Sequence, residues 1–183
     1  LYFIDDIEWR RSPFTGCISD FESPDFIVTN WRYFGNGSLE GTVFEVVDNP
    51  TQDAVNSSDK AGIFLKSNDG AVFAGMFADL EAPVALPNNI KTMRLKVLGS
   101  VTGQMVFKLE AGVAGAPNSG DVFAEYTTAN AWQELTFDFS FLPDNARYNR
   151  ITFIPNFGVV PDAVQTFYFD DITIADAQCV TTG

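Results

Sequence analysis

Trp31 and Tyr33 stand two residues apart beside a polar loop, Gly35-Asn36-Gly37. Aromatic faces next to polar side chains can capture a neutral sugar. The ring takes the C–H-rich side of a pyranose, and polar groups bond its hydroxyls. In an extended stretch, residues two apart project to one side. Trp31 and Tyr33 would then form a platform, Arg32 and Phe34 would point the other way, and Arg32 and Asn36 would be the nearby hydroxyl readers. The alternative is a hydrophobic lid over the end of a core. Phe73 and Phe77 offer a second platform, with ordinary core filling as their alternative. Arg94, Lys96, Lys108 and Glu110 occupy polar positions of two strand-like segments. They could line a binding face, or form cross-strand ion pairs worth up to about 1 kcal/mol each, which is the preferred reading.

Catalytic chemistry finds little material. The chain has no His and two Cys. That removes Ser-His-Asp and Cys-His designs and the usual zinc ligand sets. A glycosidase needs two carboxyl groups flanking one bond. The paired acids Asp5-Asp6 and Asp170-Asp171 are consecutive strand residues, so the members of each pair point to opposite faces. No phosphate loop, dinucleotide fingerprint or Gly-x-Ser-x-Gly elbow occurs. The chain is not expected to be an enzyme.

The elements that would position these residues are strands. Met93, Leu95 and Val97 alternate with Thr92, Arg94 and Lys96, and Met105, Phe107 and Leu109 alternate mostly with polar residues. Leu135, Phe137 and Phe139 do the same. This is the period of half-buried antiparallel strands. Similar segments lie near 41–48, 61–66, 71–79, 121–127, 149–154 and 166–174, separated by turns such as Asn36-Gly37, Asn68-Asp69-Gly70 and Pro143-Asp144-Asn145. No segment has a helical period. About ten short strands at regular spacing predict an all-β sandwich or barrel. Eighteen Phe among 183 residues suit the gap between two packed sheets.

The net charge of −13 repels phosphate backbones, so nucleic acid is not an expected partner. No apolar run reaches the roughly 20 residues of a membrane helix, and no membrane insertion is expected. The acidic surface suits calcium, neutral ligands or plain solubility. The chain lacks an initiator Met and a signal peptide and reads as a piece of something longer.

Residues 2–7, Tyr-Phe-Ile-Asp-Asp-Ile, resemble residues 167–172, Phe-Tyr-Phe-Asp-Asp-Ile, and a Cys follows each copy, Cys17 and Cys179. A matched pair of landmarks suggests an internal repeat. Residues 1–16 would be the last strand and linker of a preceding repeat, or a linking strand, and 17–183 one β-sandwich module. Residues 1–9 could then pair with their own module or complete a neighbour by strand addition. Trp9 could pack between modules.

From Cys17 to Cys179 the order of motifs resembles a known family. Asp20-Phe21-Glu22 opens the module, followed by Val46-Val47-Asp48-Asn49-Pro50 and Asn56-Ser57-Ser58-Asp59-Lys60-Ala61-Gly62. Then come Trp132-Gln133-Glu134-Leu135-Thr136-Phe137-Asp138-Phe139 and the closing Phe167-Tyr168-Phe169-Asp170-Asp171-Ile172. Together these look like the family 4/9/22 type of carbohydrate-binding module. The resemblance implies a galactose-binding-like jelly roll from a secreted, multi-module, polysaccharide-degrading protein. It also implies a structural Ca²⁺ held by Glu22 and Asp170, with Asp171 the neighbouring candidate. Calcium takes about 6–8 oxygens, which two carboxylates, carbonyls and a water can supply. The alternative is that these acids are solvated edge charges. Neighbouring first and last strands, as in the family, would let Cys17 and Cys179 pair. Equivalent positions in successive repeats could instead pair elsewhere or stay free.

Two functions follow as expectations. The first is a non-catalytic glycan-binding module, with β-glucan one candidate, located outside the cell or on its surface. Trp31 and Tyr33 would stack on the sugar while Arg32, Asn36 and Phe73 assist. The second is a repeating unit of an extracellular filament or adhesin, joined to neighbouring copies through the N-terminal strand.

Overall fold

A computed structural model describes residues 16–22, 28–86, 90–111, 117–144 and 146–179. The described strands are β1 (Cys17–Ser19), β2 (Val28–Phe34), β3 (Glu45–Asp48), β4 (Lys60–Lys66), β5 (Gly75–Val84) and β6 (Thr92–Gly99). They continue as β7 (Gly103–Glu110), β8 (Val122–Tyr126), β9 (Gln133–Asp138), β10 (Tyr148–Ile154) and β11 (Gln165–Ile174). A 3-10 turn at Gly37–Leu39 is the one helical element among the described residues. The division of residues 1–16 from 17–183 rests on residues 1–15, which lie outside the described ones.

The strands form two antiparallel sheets. One has the order β3-β4-β11-β6-β9 with β1 added to β11, and the other is β2-β5-β10-β7-β8. The all-β, two-sheet expectation holds. Alternation sets the facing of each strand: Met93, Leu95, Val97, Leu135 and Phe137 of the first sheet are buried against Met105, Phe107, Leu109, Ile151 and Phe153 of the second. β6 and β7 follow each other in sequence yet belong to different sheets. Arg94 and Lys96 therefore lie on one outer face, and Lys108 and Glu110 on the other.

The long strand β11 organises the first sheet. It pairs with β6 along one edge, and on the other edge with β4 up to Phe169 and then with β1 from Ile172. Between these two partners Asp170 and Asp171 form a bulge, with Asp171 at φ 44. An extra residue in a strand shifts its alternation. Phe167 and Phe169 on one side of the bulge, and Ile172 and Ile174 on the other, thus all reach the core. The chain termini of the module meet here, and Cys17 and Cys179 form a disulfide with Cα atoms 5.0 Å apart.

A smaller apolar cluster lies on the outside of the first sheet, where Ala61, Leu98 and Trp132 are buried with Tyr168 against them. Residues 49–51 cover it. The Trp132 indole donates to the Thr51 carbonyl (2.8 Å) and to Asn49 Oδ1 (3.1 Å).

Candidate functional site

Among the described residues, nothing covers the outer face of the five-stranded sheet in this way. Its central strands bring three side chains into one row: Thr152 of β10 is in register with Phe77 of β5 and Lys108 of β7, and Arg32 of β2 is in register with Phe77. The next row is Asp79, Arg150 and Glu110. Phe34 lies opposite Gly75, where a Cβ would come within 2.9 Å of the Phe34 ring and 2.6 Å of a backbone oxygen. The absent side chain lets Phe34 lie down on the sheet. Two loops raise walls on this floor, one carrying Phe73 and the other Phe157. Phe73 rests on Gly35, whose φ of +62 and 3.0 Å clearance to the ring leave no room for a larger residue. The result is a cavity of about 310 Å³ with Phe34, Phe73, Phe77 and Phe157 as aromatic surfaces and Lys108, Glu110, Asp121 and Thr152 as polar ones.

The polar groups are held in place by one another. Asp79 Oδ1 accepts from Arg150 Nε (2.8 Å) and Nη2 (2.7 Å), while Oδ2 accepts from Arg32 Nη2 (2.6 Å). Both guanidinium groups lie over the Phe77 ring, at 4.2 Å for Arg150 and 5.0 Å for Arg32. Thr152 donates to Glu110 Oε2 (2.6 Å), and Lys108 sits between Glu110 (3.8 Å) and Asp121 (3.5 Å). Exposed pairs of this kind add little stability. They do fix donors and acceptors at defined places beside apolar rings. Phe73 is half exposed, and Phe123 extends the aromatic surface by contacting Phe157 edge to face at 5.7 Å.

The residues expected from the sequence separate sharply. Trp31 and Tyr33 do share a side, but it is the core side. Tyr33 is buried against Phe64 (4.9 Å), its hydroxyl donates to the Ile63 carbonyl (3.0 Å), and burial pushes its pKa up to about 12. Trp31 packs between Phe44 and Phe169, each 5.5 Å away. With Phe44 it forms the floor of a wider cleft of about 620 Å³ along the edge of β2. The other pair, Arg32 and Phe34, faces the aromatic cavity. Asn36 is fully buried, its amide donating to Leu65 O (2.8 Å) and accepting from Ser67 N (2.9 Å), so it is spent on the loop. Phe73 reaches the cavity rim. The ion-pair reading of the charged strand positions matches Arg94 with Asp176 (2.6 Å) and Lys96 with Asp171 (2.5 Å). Lys108 and Glu110 both pair and line the cavity. The signal for the cavity was present in β2: a charged Arg32 marks the solvent side, and Phe34 shares it.

Glu22 and Asp170 converge on one loop, residues 56–60. Glu22 Oε1 accepts from Lys60 N (2.5 Å), and Asp170 Oδ2 accepts from Asn56 Nδ2 (2.9 Å). Asp170 is fully buried. Burial and then the neighbouring Asp171 charge push its pKa up to about 7, against bonds from Asn56, the Asp171 amide and Ser58. It forms no ion pair among the described residues, and its bonds come from neutral donors. Asp171 is turned to Lys96 and away from this loop. No group of three or more acidic, Cys or His ligands occurs among the described residues, so any cation here would rely on carbonyls as well.

No protein-family model matches the chain, and no curated protein matches it. Solved structures do match in fold. A family 29 carbohydrate-binding module, a lysine-to-alanine variant complexed with cellulohexaose, is similar over 88% of this chain and 89% of that one, at 9% identity and a TM-score of 0.52. An aspartate-to-alanine variant complexed with mannohexaose is similar over 88% and 91%, at 9% identity and 0.53. A further family 29 structure is similar over 88% and 86%, at 10% identity and 0.52. The chain thus has the β-sandwich fold seen in these carbohydrate-binding modules, the fold that its motif order implied.

Proposed function

We propose that this protein is a non-catalytic carbohydrate-binding module that holds an oligosaccharide or polysaccharide on the open face of its five-stranded sheet. The observation that carries the reading is the combination, in one cavity, of uncovered phenylalanine rings with paired charged groups. Phe73 and Phe157 are placed to stack on sugar rings. Arg150, Asp79, Lys108, Glu110 and Asp121 supply donors and acceptors for hydroxyls. The fold likeness to modules complexed with cellulohexaose and mannohexaose supports this ligand class. β-Glucan is the first polymer to test.

A structural Ca²⁺ bound by Glu22, Asp170 and carbonyls of residues 56–60 belongs to the same proposal, supported by the buried Asp170 carboxyl, which forms no ion pair among the described residues. A Cys17–Cys179 bridge is suited to an oxidising compartment, which supports an extracellular or cell-surface location. The alternative role as a filament or adhesin repeat depends on residues 1–9, outside the described ones.

Affinity gel electrophoresis against β-glucan and mannan tests the proposal. The wild type should be retarded by at least one of them, and Phe73→Ala should run free with an unchanged melting temperature. A folded wild-type protein that no glycan retards would contradict it.

A further inference from the structure

Lys66 ends β4 and faces inward beside Phe64, and it is fully buried. A buried lysine is costly unless its charge is answered. Here three carbonyls answer it: Nζ donates to Asn156 O (2.7 Å), Pro155 O (2.9 Å) and Val72 O (3.4 Å). Lys66 forms no ion pair among the described residues. The three carbonyls belong to two loops that join the sheets, one from β4 to β5 and the other from β10 to β11. Phe73 follows Val72, and Phe157 follows Asn156. The Gly158 amide also donates to Val72 O (3.0 Å), so one carbonyl joins both loops and the lysine.

We propose that Lys66 is a positioning residue for the ligand face: reaching across the sandwich, its ammonium fastens the loops that carry Phe73 and Phe157 and sets the gap between these two aromatic walls. The purpose of the device rests on the glycan-binding reading, while its geometry does not. Nothing else assigned to the ligand face needs a lysine there. An ammonium offers three donors for three carbonyls. A neutral amine offers two and turns a lone pair on the third. The charged groups of the elements nearby are Asp69, bonded to Ser38 and Ser67, the exposed Asp162 of the second loop, and Lys108, Glu110 and Asp121 on the ligand face; none of them pairs with Lys66. Burial brings the Lys66 pKa down to about 8.

The two consequences of that proton have opposite signs. Between about 8 and the ordinary lysine value of 10.5 the unfolded chain binds the proton more than the folded one, so this group makes stability rise with pH. The clamp weakens over the same window. Loss of affinity through Lys66 is thereby separated from loss through unfolding.

The test is calorimetric titration of the intact chain with soluble β-glucan and mannan from pH 6.5 to 9.5, with thermal melts at each pH, for the wild type and Lys66→Met. In parallel, ¹⁹F spectra of 4-fluorophenylalanine-labelled protein are recorded without ligand. Wild-type affinity should fall about tenfold as the lysine is neutralised, without a fall in melting temperature. Lys66→Met should bind at the weakened level at every pH. The Phe73 and Phe157 signals should move or broaden in Lys66→Met and in the wild type at high pH, while those of core Phe107 and Phe137 stay in place. Unmoved Phe73 and Phe157 signals would overturn the proposal, as would a wild-type affinity flat across the range. If Lys66→Met does not fold, the wild-type pH series decides alone. If the wild type binds neither polymer, the glycan reading fails, and the ring signals still decide whether Lys66 places the walls.

Discussion

The two outer faces of the sandwich are built from the same kinds of residue and end in different states. Each carries ion pairs: Arg94–Asp176 and Lys96–Asp171 on the six-stranded sheet, Arg150–Asp79 and Lys108–Asp121 on the five-stranded one. Each also carries apolar and aromatic side chains. On the six-stranded sheet, residues 49–51 bond Trp132 and leave it 4% exposed. On the five-stranded sheet no segment of the described residues lies across, and Phe73 and Phe123 are 50% and 47% exposed. Uncovered aromatic area costs solvation, and a contiguous patch of it marks an interaction surface. The covering segment, more than the strand composition, therefore decides which face stays open, and the open one is the proposed ligand face.

The largest effect is expected where the segment behind that cover meets Asp170. Free Asp titrates near 3.8 and folded Asp170 near 7, so between these values the folded chain binds more protons. With a chelator present, this group should make stability fall as pH rises from 4 to 7, by on the order of 4 kcal/mol at about 1.4 kcal/mol per unit of pKa. Melts of the wild type and Asp170→Asn isolate the slope, which the variant should lack. Added Ca²⁺ should raise the wild-type melting temperature more at pH 8 than at pH 5. No calcium effect at either pH would sink the metal proposal.

Next comes the covered face. Trp132→Ala empties a closed apolar cluster and should cost about 3–5 kcal/mol in denaturant melts, leaving glycan affinity of the folded protein unchanged. The open face should answer in the reverse way. Phe73→Ala should lose about 2 kcal/mol of binding, roughly thirtyfold, with stability within about 0.5 kcal/mol of wild type. If instead Trp132→Ala abolishes binding and Phe73→Ala does not, the assignment of faces is inverted. The smallest effect is expected for Arg150→Lys, which keeps the charge but loses the planar fork over Phe77 and the paired bonds to Asp79. Calorimetry should show about 1 kcal/mol less binding.

Much of this contrast was legible in the sequence, and the reason it was not fully legible is instructive. Met93-Leu95-Val97 and Leu135-Phe137 show their buried faces because polar residues alternate with them. In Trp31-Arg32-Tyr33-Phe34 both sides of the strand carry an aromatic ring, so hydrophobicity does not tell core from ligand face, and only the charge on Arg32 does. The order of motifs from Asp20-Phe21-Glu22 to Asp170-Asp171 pointed to the fold. It did not show that Asp171 leaves for Lys96, because the bulge that turns it depends on β1 and β4 meeting on the same edge of β11. Asn36 and Lys66 look like surface residues by type. Their burial is set by the loops that join the two sheets, whose packing local sequence does not encode.

Occupancy of the open face by glycan is the proposal on which the other expectations depend. Backbone amide chemical shifts of the ¹⁵N-labelled protein, followed during titration with cellohexaose and mannohexaose, test it most directly. The shifts induced by a bound oligosaccharide should cluster on β5, β7 and β10 and on the loops bearing Phe73 and Phe157, leaving β3, β9 and Trp132 unmoved. Shifts centred on the Trp31 cleft or on the six-stranded sheet, or no shifts from a folded protein with either sugar, would contradict it.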